Sequence, residues 1–344
     1  MSATTHHAAA LTRLAALPRS ALGFLPTPLQ PLRRISRQLG GPAIWAKRDD
    51  CTGLATGGNK TRKLEYLLGD ALAHGCDTLI STGALQSNHA RQVAAAAASA
   101  GLACHLVLTD SVPERSAHYT RVGNTQLCRI LGAQVQELDG TQDAAAACEQ
   151  LASDLRRQGA KPYVIPMGGS NGMGSLGYAS AFAELQAQMQ TLGEPLDAIV
   201  LASGSGGTQA SLVLGAQLAG WQGQLLGISV GPTADIVRTR VHNALAEAAQ
   251  ILGLPASTAS HASIEVDDSL RGPHYGIPNA ATEAAVLLAA RQEGLVLDPV
   301  YTGKGFAGLL QALQTGRFAG LRNIVFLHTG GAAAISAYPE VGAA

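Results

Sequence analysis

A lysine beside a glycine pair is the first feature of this 344-residue sequence that suggests chemistry. Lys60 follows Gly57, Gly58 and Asn59, and a helical pattern begins at Lys63. A helix start carries unpaired N–H groups and positive potential, which disfavour another cation and lower the pKa of a nearby amine. A partly deprotonated amine can attack a carbonyl carbon. The same residues also suit a solvated lysine in a surface turn, so this stretch alone leaves both interpretations open.

A second glycine-rich stretch suits a phosphate group. Residues 196–202 predict a buried strand, and a helix begins directly after the loop that follows it. This loop consists of Ser203, Gly204, Ser205, Gly206, Gly207 and Thr208. Glycines let successive N–H groups converge on an anion, and the hydroxyls and the helix start add attraction, although a plain connector has the same composition. Gln209 replaces the third glycine of a dinucleotide fingerprint, and Asn59 interrupts a Walker-like pattern, so one phosphate fits better than NAD or ATP.

The elements that must position these residues predict an α/β protein. From Leu64 onward, helical segments of period 3.6 alternate with short apolar strands, which is typical of mostly parallel open sheets with helices on both faces. The predicted strands are 43–47, 78–82, 103–108, 134–138, 163–165, 198–202, 224–229 and 323–328. The predicted helices are 88–100, 124–131, 142–158, 174–191, 208–218, 235–252, 281–293 and 305–314.

The length of the chain suggests two open-sheet domains. No long linker and no repeat separates them, so we expect the domains to interleave. We predict a small domain at residues 61–162, inserted into a large domain formed by residues 1–60 and 163–344.

Composition argues against several classes of protein. Lysine plus arginine and aspartate plus glutamate both number 24, without a basic run, so we expect neither a nucleic acid nor a membrane as partner. Five cysteines without metal-ligand spacing fit reduced thiols in the cytosol, and we predict no metal site. The sequence shows no secretory signal and no apolar run near the ~18–20 residues that span a bilayer, so we expect a soluble, cytoplasmic protein.

A usable lysine and a monophosphate site together suggest pyridoxal 5′-phosphate, whose aldehyde forms a Schiff base with lysine. Six motifs follow one another along the chain: GGNKTRKLE at 57–65, QSNHARQ at 86–92, SGSGGT at 203–208, YGIPN at 275–279, DPVYTGK at 298–304 and HTGG at 328–331. In these six motifs the sequence resembles the 1-aminocyclopropane-1-carboxylate deaminase and D-cysteine desulfhydrase family, which belongs to the tryptophan-synthase-β-like group of pyridoxal-phosphate enzymes.

The resemblance implies which residues hold the cofactor. Lys60 would bind it covalently and would also act as the base that moves the substrate's α-proton. Asn59 and Asn88 would lie near the cofactor, with Asn88 donating to the 3′-oxygen of the ring. Lys63 would supply countercharge to the phosphate within the 203–208 loop. The cofactor would lie in the cleft between the domains, at the carboxyl ends of the strands.

The resemblance also implies a substrate site for an amino acid. Ser87, Asn88 and His89 open a predicted helix, whose N–H groups suit a carboxylate, although Ser87 is equally an ordinary N-cap. Tyr275 and Tyr301 lie in turns rich in glycine and proline, and such tyrosines flank the substrate and transfer protons in the family. Which of the two tyrosines or Ser87 assists proton transfer stays open.

Two threonines indicate a branch of the family. The deaminase branch has glutamate at the position of Thr302 and leucine at that of Thr329. A carboxylate beside the ring nitrogen keeps it protonated, as opening an unactivated cyclopropane requires, whereas a hydroxyl suffices when a good β-substituent leaves. We therefore expect a pyridoxal-phosphate-dependent carbon–sulfur lyase of the D-cysteine desulfhydrase type, which forms pyruvate, ammonia and sulfide. The resemblance further implies a homodimer.

Other functions stay open at this point. An L-cysteate sulfo-lyase would release sulfite, and Arg271 and His274 are candidates for contacts to its sulfonate. His118, Tyr119 and Arg121 form a second candidate specificity patch. The remaining alternatives are a 1-aminocyclopropane-1-carboxylate deaminase, a racemase or dehydratase on the same scaffold, and a non-catalytic module that binds small molecules.

Overall fold

The structure is a computed structural model that describes residues 3–113 and 115–343. The strands within these ranges are β1 (Leu29–Pro31), β2 (Ala43–Arg48), β3 (Thr78–Ala84), β4 (Ala103–Asp110), β5 (Gln134–Asp139), β6 (Pro162–Ile165), β7 (Ala198–Ser203), β8 (Gln224–Ser229), β9 (Glu265–Asp267) and β10 (Asn323–His328). The α-helices are α1 (Ala3–Ala16), α2 (Arg33–Leu39), α3 (Lys60–Ala73), α4 (Asn88–Ala100), α5 (Gly123–Ile130), α6 (Ala144–Arg157), α7 (Gly172–Thr191), α8 (Gly207–Leu218), α9 (Ala234–Ile251), α10 (Ser257–Ser260), α11 (Ala280–Glu293) and α12 (Thr302–Gln314).

The strands form two sheets. One sheet has the order β1-β2-β10-β7-β8-β9, and the other has the order β5-β4-β3-β6. All pairs are parallel except β1 with β2. Parallel neighbours need a crossover between them, and helices supply most of these crossovers. The predicted α/β fold with mostly parallel open sheets is confirmed.

Side chains of β10 show why helices cover both faces of the larger sheet. Val325 and Leu327 point to one face and pack in the hydrophobic cluster built by α7, α8 and α9. Ile324 and Phe326 point to the opposite face and pack with α11 and α12. Because successive side chains of a strand alternate between faces, an unbroken apolar run is buried on both sides of the sheet.

One strand lies on the other side of the predicted domain boundary. β6 pairs with β3, with Thr78 opposite Pro162 and Ile80 opposite Val164. The prediction that residue 163 begins the large domain is therefore corrected for this strand, because its main-chain hydrogen bonds place it in the four-stranded sheet. The domain limits otherwise stay a prediction. β1 and β9 were not predicted as strands, because three residues are too few to show a period of two.

Across residues 3–113 and 115–343, every helix is too short or too polar to cross a bilayer.

Candidate active site

A cavity of about 470 Å³ lies where strands of both sheets end. Its wall includes Ala84 at the end of β3, Ser203 at the end of β7 and Thr329 just after β10. The carboxyl ends of parallel strands are the usual ligand site of open α/β sheets, and the volume is typical of a small-molecule pocket.

Most of the site residues predicted from the sequence line this cavity. These are Asn59, Lys60, Ser87, Asn88, His89, Ser203, Gly204, Ser205, Gly206, Thr208, Tyr275, Tyr301 and Thr329. Lys63, Gly207 and Thr302 lie behind the lining. Of the alternative specificity residues, Arg271 and His274 line the cavity, whereas His118, Tyr119 and Arg121 do not.

Lys60 is the first residue of α3, and its Nζ lies 3.1 Å from Asn59 Oδ1. Burial, together with repulsion from the Arg91 guanidinium, lowers the pKa of the Lys60 amine to about 8. The lowered pKa agrees with the sequence prediction, but its causes are burial and Arg91 rather than the helix start. A lysine in this state supplies neutral amine near neutral pH, as a nucleophile or a general base must.

The turn before Lys60 requires glycine. Gly57 has φ +74°, and a Cβ there would lie 1.9 Å from the main-chain oxygen of Asp50. The Gly57 carbonyl accepts a hydrogen bond from Arg91 Nη2 at 2.6 Å. Asn59 then donates from its Nδ2 to Thr208 Oγ1 at 3.0 Å. The turn is thereby fixed against both α4 and the glycine-rich loop before α8.

Lys63 lies under the 203–208 loop. Its Nζ donates to the Gly168 carbonyl at 3.0 Å and to Ser170 Oγ at 2.9 Å, and Ser170 Oγ donates to Ser205 Oγ at 2.8 Å. A Cβ at Gly207 would lie 2.7 Å from Lys63 Nζ, so only glycine leaves this approach open. Burial, with repulsion from Lys60, lowers the pKa of Lys63 well below its ordinary value. An anion above the loop would restore the charge on this amine.

The loop that holds Lys63 was not among the predicted site segments. Met167 and Gly168 line the cavity, and Ser170 joins Lys63 to Ser205. The signal was present, because Gly168-Gly169-Ser170-Asn171 lies between β6 and α7 and repeats the strand, Gly/Ser loop and helix pattern of residues 198–218. Thr109, Ser111 and Arg240 also line the cavity without an earlier prediction.

Asn88 is held in one orientation by a buried polar network. Its Oδ1 accepts hydrogen bonds from Arg91 Nη1 at 3.1 Å and from Asn124 Nδ2 at 2.8 Å. Arg91 Nη1 also donates to Asn124 Oδ1 at 2.7 Å, and burial lowers the pKa of Arg91 to about 10. Since the oxygen of the Asn88 amide is used by the network, its NH₂ group is the part left to serve a ligand. The donor role of Asn88 toward the cofactor stays a prediction.

The start of α4 presents donors to the cavity. Ser87 Oγ accepts a hydrogen bond from the Ala90 N–H at 3.1 Å, as an N-cap does, and its own O–H can still donate. A Cβ at Gly83 would lie 2.4 Å from Ser87 Oγ. The His89 ring lies 2.9 Å from Ser81 Oγ on β3, and burial, with repulsion from nearby lysines, lowers its pKa well below the ordinary value. His89 therefore offers its main-chain N–H rather than a charged ring.

Tyr275 and Tyr301 form a hydrogen-bonded pair. Their hydroxyl oxygens are 2.5 Å apart and their rings meet edge to face at 5.9 Å. Burial raises the pKa of both phenols, so both are protonated at neutral pH. One hydroxyl donates to the other, and the proton of the acceptor hydroxyl is then available to a ligand.

The two branch-marking threonines lie in different places. Thr329 lines the cavity, and its carbonyl accepts a hydrogen bond from the Asn59 N–H at 3.0 Å. The buried Thr302 hydroxyl instead donates to Asp298 Oδ2 at 2.7 Å. Asp298 also accepts from the Tyr301 and Thr302 N–H groups and so caps α12. Thr302 is not part of the cavity lining, and its role at the cofactor stays a prediction.

The charged side chains in the cavity lining are basic. Its lining carries Lys60, Arg240 and Arg271, and no aspartate or glutamate from the described residues lines it. Such a site favours a ligand with more than one anionic group. Within the same residues, no group of three or more histidine, cysteine, aspartate or glutamate side chains is arranged to hold a metal ion.

These features fit pyridoxal 5′-phosphate. Lys60 would provide the amine for its aldehyde, and the Asn88 NH₂ group would provide a donor for a ring oxygen. The loops around Ser170 and Ser205 would provide hydroxyls and N–H groups for its phosphate, with Lys63 beneath them. The glycines at 207 and 57 leave the space that this arrangement needs.

Comparisons with known proteins agree with this fit. A family model described as "Pyridoxal-phosphate dependent enzyme" matches residues 21–330. A D-cysteine desulfhydrase from Yersinia enterocolitica is 44% identical over 330 residues, which cover 96% of this chain and 98% of the relative. A 1-aminocyclopropane-1-carboxylate deaminase from Burkholderia lata is 42% identical over 94% of this chain and 97% of its own length.

Solved structures show the same fold. A crystal structure titled as an ACC deaminase homologue aligns with a TM-score of 0.85 and 38% identity, covering 96% of this chain and 97% of the other. An O-ureido-L-serine synthase aligns with a TM-score of 0.66 over 96% of this chain, and at 16% identity it supports the fold alone. The chain therefore belongs to the pyridoxal-phosphate-dependent enzyme family, within the group that contains D-cysteine desulfhydrases and 1-aminocyclopropane-1-carboxylate deaminases, and its cofactor is pyridoxal 5′-phosphate.

Proposed function

We propose that the protein is a carbon–sulfur lyase of the D-cysteine desulfhydrase type, which converts a cysteine-like amino acid to pyruvate, ammonia and sulfide. The observation that carries this proposal is the absence of aspartate and glutamate from the described cavity lining. Asp298, the carboxylate of the DPVYTGK motif, is not part of the lining and accepts hydrogen bonds from the N–H groups at the start of α12. Without a carboxylate to keep the ring nitrogen protonated, a good β-leaving group suits this site better than an unactivated cyclopropane.

The proposed roles follow from the geometry. When bound, the cofactor supplies an electron sink for the substrate's α-carbon. Ser87 and the N–H groups at the start of α4 bind the substrate carboxylate, and Lys60 removes the α-proton. A proton from the pair Tyr275 and Tyr301 reaches the departing sulfur.

A sulfo-lyase is the second candidate. Arg271 and His274 both line the cavity beside Tyr275, and either side chain suits the sulfonate of cysteate. A 1-aminocyclopropane-1-carboxylate deaminase is the third, because the relative of that name is nearly as similar as the desulfhydrase.

A substrate panel tests the proposal. We expect holoenzyme incubated with D-cysteine to form sulfide and pyruvate in equal amounts, and Lys60→Ala to form neither. L-cysteine, L-cysteate, D-serine and 1-aminocyclopropane-1-carboxylate are assayed in parallel for sulfide, sulfite, ammonia and keto acid. Sulfite from cysteate as the faster reaction favours the sulfo-lyase, and 2-oxobutyrate as the main product favours the deaminase. No keto acid from any substrate refutes β-elimination and favours a binding module.

We also propose a cytoplasmic homodimer. All five cysteines are unpaired in the structure, and Cys104, Cys128 and Cys148 are buried, which suits a reducing compartment. Light scattering during size-exclusion chromatography measures the mass of the assembly, and a mass near the 35.2 kDa of one chain would contradict the dimer.

A further inference from the structure

Lys304 is a buried lysine that the proposed reaction does not use. It lies in the first turn of α12, and its side chain is fully buried. Its Nζ donates to three main-chain carbonyls, those of Val230 at 3.0 Å, Arg271 at 2.5 Å and His274 at 3.4 Å. A cation away from water and near a helix start is unfavourable by itself. The three carbonyl dipoles must therefore stabilise it.

The three carbonyls belong to two segments that form one wall of the cavity. Val230 follows β8, whereas Arg271 and His274 lie in the loop 268–279 between β9 and α11. The segments touch, because Arg271 Nη1 donates to the Gly231 carbonyl at 3.2 Å and a Cβ at Gly231 would lie 3.0 Å from that of Tyr275. Lys304 is thus hydrogen-bonded to both segments that form this wall of the cavity.

The same helix start also carries the partner of Tyr275. Tyr301 immediately precedes α12, and its hydroxyl is 2.5 Å from that of Tyr275. The position of Tyr301 is therefore set by α12 itself. The position of Tyr275 is set by loop 268–279, which Lys304 connects to α12 by hydrogen bonds. A shift of the loop would separate the two hydroxyls.

We propose that Lys304 is a positioning residue for the Tyr275–Tyr301 pair, acting as an internal monovalent cation that binds the carbonyls of loop 268–279 and Val230 to the start of α12. Its charge matters as well as its volume, since an apolar side chain in this place would remove the N–H donor that the Val230 and Arg271 carbonyls share, whereas the His274 carbonyl also accepts from the Ile277 N–H at 3.2 Å. The inference rests on the proposed function only for its effect on catalysis.

Hydrogen exchange of the holoenzyme tests the proposal without any substrate. We expect Lys304→Met to increase amide exchange in residues 268–279, with the start of α12 little changed. Lys47→Met is the matched control, because Lys47 is equally buried and bonds to the Thr27 carbonyl, Glu184 and Gln188, away from this loop. Loop exchange in Lys304→Met that equals the wild-type value overturns the proposal, as does the same increase in Lys47→Met.

Chemical rescue tests the charge itself. Lys304→Ala should lower kcat/KM on the order of 10²-fold, the effect of a small misplacement of catalytic groups. Ethylammonium should restore both the activity and the slow amide exchange of loop 268–279. Tetramethylammonium, which has no N–H donor and is too large for the space among the three carbonyls, should restore neither. Restoration by both cations or by neither overturns the proposal. If Lys304→Ala and Lys304→Met both fail to fold with or without ethylammonium, Gly272→Ala decides.

Gly272→Ala perturbs the surroundings of the Lys304 amine and keeps the lysine itself. Gly272 has φ +77°, and a Cβ there would lie 3.3 Å from Lys304 Nζ and 3.1 Å from the Ile277 carbonyl. We expect increased exchange in loop 268–279 and a lower kcat at unchanged cofactor content. Unchanged exchange would overturn the proposal. Increased exchange with no reaction from any variant, including the wild type, would contradict the proposed function while leaving the positioning role supported.

Discussion

The state of the Lys60 amine makes the sharpest prediction for this protein. With a pKa of about 8, roughly one Lys60 amine in ten is neutral at pH 7, against about three in ten thousand for a solvated lysine. Because only the neutral amine attacks an aldehyde, Lys60 has an advantage of roughly 300-fold at pH 7 before access is considered. Its reaction rate should rise about tenfold per pH unit below pH 8 and level off above it.

The assay is reductive trapping in the apoprotein. Apoprotein is mixed briefly with pyridoxal 5′-phosphate at pH 6 to 10.5, reduced with borohydride and mapped by mass spectrometry. The chain contains five lysines, at 47, 60, 63, 161 and 304, so mapping can assign every lysine adduct to one position. Lys161 is exposed and serves as the reference for a solvated amine. Lys60→Arg should lose the early adduct and leave the slow modification of Lys161 unchanged.

Two other lysines distinguish the effect of a lowered pKa from the effect of access to the cavity. Burial lowers the pKa of Lys304 to about 8 as well, and burial with repulsion from Lys60 lowers that of Lys63 well below its ordinary value, yet neither side chain lines the cavity. We therefore expect no adduct on them, although both amines lose a proton more easily than a solvated lysine. A main adduct at Lys63 or Lys304, or a rate at Lys60 that keeps rising to pH 10.5, would refute the assignment of Lys60.

Three further substitutions test other parts of the site. Gly83→Ala places a Cβ 2.4 Å from Ser87 Oγ, so KM for the amino acid should rise about tenfold or more while the visible absorbance of the bound cofactor is unchanged. Tyr301→Phe should lower kcat by about 10²-fold with little change in melting temperature, and an unchanged kcat would exclude its hydroxyl from proton transfer. Arg62→Met removes the ion-pair partner of the fully buried Asp49 carboxylate, so urea denaturation should show that the free energy of unfolding falls by about 3–5 kcal/mol. A decrease no larger than that typical of an exposed ion pair would contradict this.

Local patterns predicted the parts of the fold that depend on neighbours in sequence. The apolar run 198–202 and the helix after Thr208 needed only periodicity, and the turn before Lys60 needed only its glycines. The sheet membership of 162–165 was not predictable in this way, because it depends on a pairing with β3 that lies far away in the chain. The predicted boundary at residue 163 failed for that reason.

The same distinction holds within the site. Lys60 and Ser203 were found because each lies in a recognisable loop, whereas Arg91 looked like one more helical residue. Its importance comes from its burial, where it holds Asn88 and the Gly57 carbonyl and lowers the pKa of Lys60. Thr302 shows the same dependence on tertiary contacts. Its position in the motif gives no sign that its hydroxyl donates to the Asp298 carboxylate.

The buried lysines explain why this site needs an anion. Lys60 and Lys63 lie in the first turn of one helix, Lys60 half-buried at the cavity and Lys63 fully buried. Lys60 lowers the pKa of Lys63, and both lysines lower the pKa of His89. Folding therefore places two amines where their charged forms are unfavourable, and no aspartate or glutamate from the described lining offsets them. A phosphate bound at the start of α8 would supply the missing negative charge, would favour the charged form of Lys63 and would stabilise the folded chain by mass action. We therefore expect the electrostatic feature that lowers the pKa of Lys60 to contribute to cofactor binding as well.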